Sequence, residues 1–213
     1  MLVIVAPGQG AQTPGFLAPW LEDSTSAARL AWLSAVSGLD LARLGTEADA
    51  DEIRDTRIAQ PLLVSAALVA AEQLHTGADD HGPVAVTGHS VGEIGAAVLA
   101  GVLSAEQAMV LVRERGNAMA EAAAVTPTGM TAVLGGDRDE VLAAIDAAGL
   151  TAANDNGPGQ IVAAGTTSEL EAFAADPPTG GRLRPLAVAG AFHSGHMAPA
   201  VDHVEGLARS VST

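Results

Sequence analysis

The chain has 213 residues, 48% of them apolar, so it is long enough for one sizeable core or for a domain carrying a smaller insert, and disorder is excluded as a description of the whole. Its 25 acids outweigh its 10 bases, every one of them Arg, and the net charge of −15 argues against nucleic acid or an anionic membrane surface as a partner. It has no Cys, which removes disulfides, thiolate metal sites and cysteine nucleophiles. Leu2 to Val5 is a short β-branched run that predicts a buried strand, ended by the turn residues Pro7-Gly8-Gln9-Gly10. No basic region precedes it, so it is not read as a signal peptide, and no apolar run is long enough for a membrane span; a cytoplasmic protein is expected. Phe16 to Ser37 reads as helical in pieces. Gln60-Pro61 opens a Leu- and Ala-rich helix to Leu74, with Pro61 at its first position. His75 to Pro83 is a polar loop, Val84 to Thr87 a strand, and Glu93 to Ala100 a helix closed by Gly101. Ser104-Ala105-Glu106-Gln107 has the form of a capping box, and the helix it starts runs to about Ala124.

The next stretch has a different rhythm. Met130 to Leu134 is a strand, Asp137 to Ala148 a helix, Leu150 to Ala153 and Gln160 to Ala164 two strands joined through Asn154 to Gly159. Ser168 to Ala175 is a helix and Leu183 to Val188 a last strand. The order β-α-β-β-α-β predicts a ferredoxin-like small domain over residues 126–188, inserted into an α/β body made of residues 1–125 and 189–213. A polar helix over Ala198 to Ser210 ends the chain.

Gly88-x-Ser90-x-Gly92 lies between a predicted strand and a predicted helix, the neighbours a nucleophile elbow requires. The sharp turn needs small residues, and it presents the hydroxyl at a helix N-terminus, where free amides and the dipole favour an oxyanion. The alternative is a Gly-rich turn with a serine cap. A serine needs a base, and of six His, His193 and His196 follow a predicted strand and are equal candidates; His75 and His81 fall in the polar loop, and His89 adjoins Ser90. His193, His196 and His203 lack the HExxH pattern of a zinc site, so no metal is expected.

At 100° per residue, Ala108, Leu111, Val112, Met119 and Ala122 share one face of the helix after Ser104, and Arg115 falls in the middle of that stripe. A buried guanidinium needs an anion. On the residues alone an internal carboxylate is the commoner solution; a fork gripping a substrate carboxylate is the other.

Six pieces of the chain together resemble the malonyl-coenzyme A:acyl carrier protein transacylase family and the acyltransferase domains of fatty acid and polyketide synthases. They are Pro7-Gly8-Gln9-Gly10-Ala11-Gln12, Ala59-Gln60-Pro61, Gly88-His89-Ser90-Val91-Gly92-Glu93, Arg113-Glu114-Arg115-Gly116 with Met119, Asn156-Gly157-Pro158-Gly159-Gln160, and Gly190-Ala191-Phe192-His193. The resemblance implies an α/β-hydrolase-like body with a ferredoxin-like insert, and malonyl transfer from malonyl-coenzyme A to an acyl carrier protein by ping-pong kinetics. It implies Ser90 as nucleophile, His193 as base and then acid, the N–H groups of Gln9 and Val91 as oxyanion hole, and Arg115 on the malonyl carboxylate. Met119, Phe192, Gln60 and Asn156 would line the substrate site, Phe192 crowding an α-methyl branch. No cofactor is implied beyond the thioester. Arg182 and Arg184 are candidates for carrier docking. Family members are longer, so the last third of the family's body is expected to be missing. Two other readings stand beside this one: a serine esterase or thioesterase with Asp155 or Asp176 as its acid, and an inactive module that docks a carrier.

Overall fold

The structure, a computed structural model, describes residues 1–75 and 84–211. The predicted loop from His75 to Pro83, with His81, lies outside the described residues except for His75, which ends a helix. Two compact units are present: residues 1–117 with 204–213, and residues 118–203. The sequence reading divides the chain elsewhere, at 125/126 and 188/189.

In the first unit, strands β1 (Leu2–Ala6) and β2 (Val84–Gly88) run parallel, in register from Leu2 opposite Val84 to Ala6 opposite Gly88. Burial of β1 needs correction. Val3 is 50% and Val5 65% exposed, whereas Leu2 and Ile4 are half-buried and Ala6 is buried. The β-branched run sets strand propensity, but covering both faces needs neighbours, and among the described residues this sheet has two strands. An apolar groove of about 400 Å³ runs along β1, lined in part by Phe16, Trp20, Leu63, Ala67 and Leu74.

Helices α1 (Ala18–Leu21), α2 (Ser24–Ser37), α3 (Leu41–Thr46), α4 (Thr56–His75), α5 (Gly92–Leu99) and α6 (Ala105–Ala123) follow in chain order, with a 3-10 turn at Glu52–Arg54 before α4. Leu17, Leu30, Leu33, Leu62, Leu68 and Met109 are buried in their common core. Helix α4 begins at Thr56, so Pro61 lies inside it and not at its first position. Asp55 sets the start: its carboxylate accepts from the Arg57 N–H at 2.8 Å and its carbonyl from the Ala59 N–H at 2.7 Å. Pro61 then withholds one hydrogen bond early in the helix, which the burial of Leu62, Leu63 and Val64 offsets. The capping box at α6 is as read: Ser104 N–H donates to Gln107 Oε1 at 2.8 Å, and Gln107 N–H to Ser104 Oγ at 3.2 Å.

The second unit contains β3 (Thr128–Gly135), α7 (Arg138–Ala147), β4 (Thr151–Asp155), β5 (Gln160–Thr166), α8 (Thr167–Ala175) and β6 (Gly181–Pro185). The sheet is antiparallel, with strand order β4-β5-β3-β6. Period-two alternation splits β3 between two cores. Val133 packs with Val141, Ile145, Ile161 and Phe173, so α7 and α8 cover that face. Met130 and Ala132 pack with Val162, Phe192 and Met197. Several bounds differ from expectation, β3, β5 and β6 each reaching up to two residues further at one end or both, and two differences move residues between strand and loop. Asn154 and Asp155 finish β4 instead of entering the loop. β6 ends at Pro185, because the chain turns back there and the Val188 N–H bonds the Leu186 carbonyl at 2.9 Å. A 3-10 turn (Gly195–Met197) and α9 (Ala198–Ser210) follow.

Candidate active site

Ser90 sits between β2 and α5 with φ of 54°, a left-handed backbone that a side chain rarely adopts. The bend that forces it is built by glycines. A Cβ on Gly88 would collide with the backbone of Gly92 and Glu93, and one on Gly92 with the carbonyl of Ala6. The strand therefore meets the helix in a turn that needs glycine at 88 and 92, and Ser90 is held at the start of α5. Among the described residues the Val91 N–H, at the N-cap of α5, has no acceptor. The loop after β1 lies against the same bend, since a Cβ on Gly8 would stand 2.5 Å from His89 Nδ1 and 3.0 Å from the His89 carbonyl. Gln9, next in that loop, anchors its side chain on Thr56 Oγ1 at 3.3 Å and on the Arg54 carbonyl at 3.4 Å.

Arg115 reaches this bend from α6. Its Nη2 donates to Ser90 Oγ at 3.2 Å, and its Nη1 to Gln60 Oε1 at 2.6 Å. Among the described residues no carboxylate lies within ion-pair distance of the guanidinium, so the internal pair favoured on the residues alone is absent. Burial pushes the Arg115 pKa down from its ordinary value, and the charge of Glu93 works against that shift. Gln60 is 1% exposed on α4, so its carbonyl oxygen is a fixed acceptor. The meeting of α4 and α6 depends on Gly116, where a Cβ would stand 2.9 Å from the Thr56 carbonyl oxygen.

The other expected residues belong to the second unit. His193 is exposed, and its φ of 58° makes it, with Ser90, one of two non-glycine residues of positive φ among those described. Its turn is pinned on both sides. Thr128 Oγ1 accepts from the Ala191 N–H at 3.0 Å, and Ser194 Oγ donates to the Ala191 carbonyl at 2.6 Å. Phe192 is 5% exposed and shares a core with Met119, so both rank first as packing residues. Asn156 closes the β4–β5 turn by donating to Gln160 Oε1 at 2.9 Å. Asp155 is tied to Arg138 at 2.8 Å, which holds its carboxyl below the usual range and occupies one of the two acids, Asp155 or Asp176, offered to an esterase reading. Arg182 and Arg184 are exposed on β6, an edge strand. No group of acids and histidines among the described residues could hold a metal ion.

Sequence reasoning gave no place to Thr56, and it quoted Gly116 and Glu93 only as motif residues, without a role. A glycine in the middle of a helix is a signal of close backbone approach, and it stood beside Arg115. Nothing local marks Thr56, whose hydroxyl matters only once Gln9 is seen folded onto it.

Comparison with known proteins gives a consistent picture. The family described as acyl transferase domain matches residues 3–209. The malonyl CoA-acyl carrier protein transacylase of Mycobacterium tuberculosis strain H37Rv is 50% identical over 218 residues, covering 100% of this chain and 71% of the relative. The protein of that name from Escherichia coli K12 is 35% identical over 210 residues, covering 93% of this chain and 66% of its own length. Among solved structures, the Mycobacterium tuberculosis MCAT superposes with a TM-score of 0.93, 50% identity, and coverage of 100% of this chain and 71% of that one. A malonyl-transacylase solved with a type II PKS acyl-carrier protein superposes with a TM-score of 0.89 at 31% identity, covering 99% of this chain and 70% of that one.

Proposed function

The chain belongs to the acyl transferase domain family, and from that membership we propose that it moves a malonyl group from malonyl-coenzyme A to the phosphopantetheine thiol of an acyl carrier protein through malonyl-Ser90. Ser90 Oγ attacks the thioester carbonyl and its proton passes to the His193 imidazole. The N–H groups of Gln9 and Val91 receive the oxyanion; loss of one such donor typically costs about 10²–10³ in rate. The C–S bond breaks and the coenzyme A thiolate takes the proton back. In the second half the carrier thiol gives its proton to His193 and attacks the ester, and Ser90 leaves with that proton. The chemistry is nucleophilic and acid–base throughout, so it needs no redox group, and the reading carries a cytoplasmic setting.

The observation that carries this reading is Arg115, bonded to Ser90 and Gln60 with no carboxylate within ion-pair distance among the described residues. A guanidinium so placed can grip the free carboxylate of a malonyl group with two parallel bonds. Phe192, locked by its core and directly before His193, resists an α-methyl branch. We read residues 126–188, within the second unit, as the ferredoxin-like insert on the strand order β4-β5-β3-β6, and the first unit as part of an α/β-hydrolase-like body.

The test is incubation with malonyl-coenzyme A followed by intact-mass measurement. A malonyl adduct that Ser90→Ala abolishes supports the transferase. Steady turnover of neutral esters, indifferent to Arg115→Ala, supports the esterase. Carrier binding without an adduct supports the inactive module.

A further inference from the structure

Gln12 is tied at both ends of its side-chain amide. Its Oε1 accepts from the Gly10 N–H at 2.8 Å, and its Nε2 donates to the Ile53 carbonyl at 3.1 Å. Ile53 is 2% exposed in the first unit's core and sits within the 3-10 turn, so its carbonyl is a fixed point. Gly10 has φ of 108°, a backbone open to glycine alone, so the loop takes a conformation that needs an outside hold. The Ala11 N–H is spent on the Gly8 carbonyl at 3.4 Å. With the Gly10 and Ala11 amides taken, the Gln9 N–H has no acceptor among the described residues.

We propose that Gln12 is a positioning residue for acyl transfer, clamping the Gly10 N–H to the Ile53 carbonyl so that Gln9 is the amide the loop offers to the oxyanion. The inference rests on the transferase reading, in which the Gln9 N–H is one of two oxyanion donors. Gln9 is held from both sides: the peptide after it by Gln12, its own side chain by the Thr56 hydroxyl at 3.3 Å. Donors fixed beforehand cost no reorganisation when charge develops, whereas a loop that can swing Gly10 toward the site must first select the correct amide.

Gln12→Met keeps the length of the side chain and removes its amide. In this variant the Gly10 amide proton should exchange with solvent several-fold faster, and Ser90 malonylation at saturating malonyl-coenzyme A should slow by about tenfold or more, a share of what losing a whole donor costs. The half-saturating concentration and the preference for malonyl over acetyl should hold, because neither depends on the oxyanion. An unchanged saturating rate overturns the proposal, and so does a slower rate matched by an equal rise in the half-saturating concentration. If Gln12→Met does not fold, Gln12→Glu decides: it keeps an acceptor for the Gly10 N–H but loses the donor to the Ile53 carbonyl, so the clamp is open at that end and the saturating rate should still fall several-fold, and a parental rate overturns the idea. Absence of any malonyl-Ser90 in the parent protein sinks the transferase reading instead, so the two failures are distinct.

Discussion

Arg115 combines a position set by an apolar helix stripe with a charge that the stripe does not satisfy. Replacing it with Ala removes charge-assisted hydrogen bonds of about 1.5–3 kcal/mol each. The preference for malonyl- over acetyl-coenzyme A should fall by about 10- to 100-fold, read as the ratio of kcat/KM for the two thioesters, and an unchanged ratio discards the carboxylate grip. Ser90 carries a backbone cost. Ser90→Gly should form no adduct yet gain about 1 kcal/mol of stability, because glycine takes φ of 54° without strain. Urea midpoints check this, and a lower midpoint would mean that the hydroxyl holds the bend together. At this scale the sequence was informative about chemistry: Ser90 and Arg115 were legible as a hydroxyl in a tight turn and a cation in a stripe. Their mutual bond was not, because they lie 25 residues apart, one in the turn before α5 and the other on α6.

Between helices, the contact of α6 with the start of α4 is a backbone contact through Gly116. Gly116→Ala places a methyl group 2.9 Å from the Thr56 carbonyl oxygen. Overpacking of this kind costs about 1–3 kcal/mol, and the displaced α6 should lose part of its malonyl preference as well. Gly206, in α9 with open space around it, is the control: Gly206→Ala should raise stability by up to about 1 kcal/mol. In α8, Thr166 and Glu169 form a reciprocal cap, and hydrogen bonds from the Thr166 side chain and N–H hold the Glu169 carboxyl below its ordinary value. A depressed carboxyl stabilises the fold above the unfolded value, about pH 4.3, and that help is lost as pH falls through the folded value. The stability gap between the parent and Thr166→Val should be steady near pH 7 and narrow below about pH 4, measured by urea unfolding at each pH. Local signals served well here. The Ser104 and Gln107 cap and the β-α-β-β-α-β order were readable because each depends on neighbours in the chain. The start of α4 was misread because Pro61 is the stronger local mark, while Asp55 wins by capping a turn earlier.

Across the molecule, the least legible property was burial. Leu2 to Val5 has the composition of an inner strand, yet Val3 and Val5 face solvent beside an apolar groove of about 400 Å³. Such a surface should bind a hydrophobic dye, and the double substitution Val3→Thr with Val5→Thr, which keeps β-branching, should reduce that signal without unfolding the protein. Undiminished fluorescence would place the dye elsewhere. Among the described residues each compact unit also holds one non-glycine residue in the left-handed region, Ser90 in the first and His193 in the second. Folding alone would rather have glycine at both. A descendant released from acyl exchange would therefore drift there, and a paired glycine at these two positions would mark a lineage in which the chemistry has lapsed while the scaffold survives.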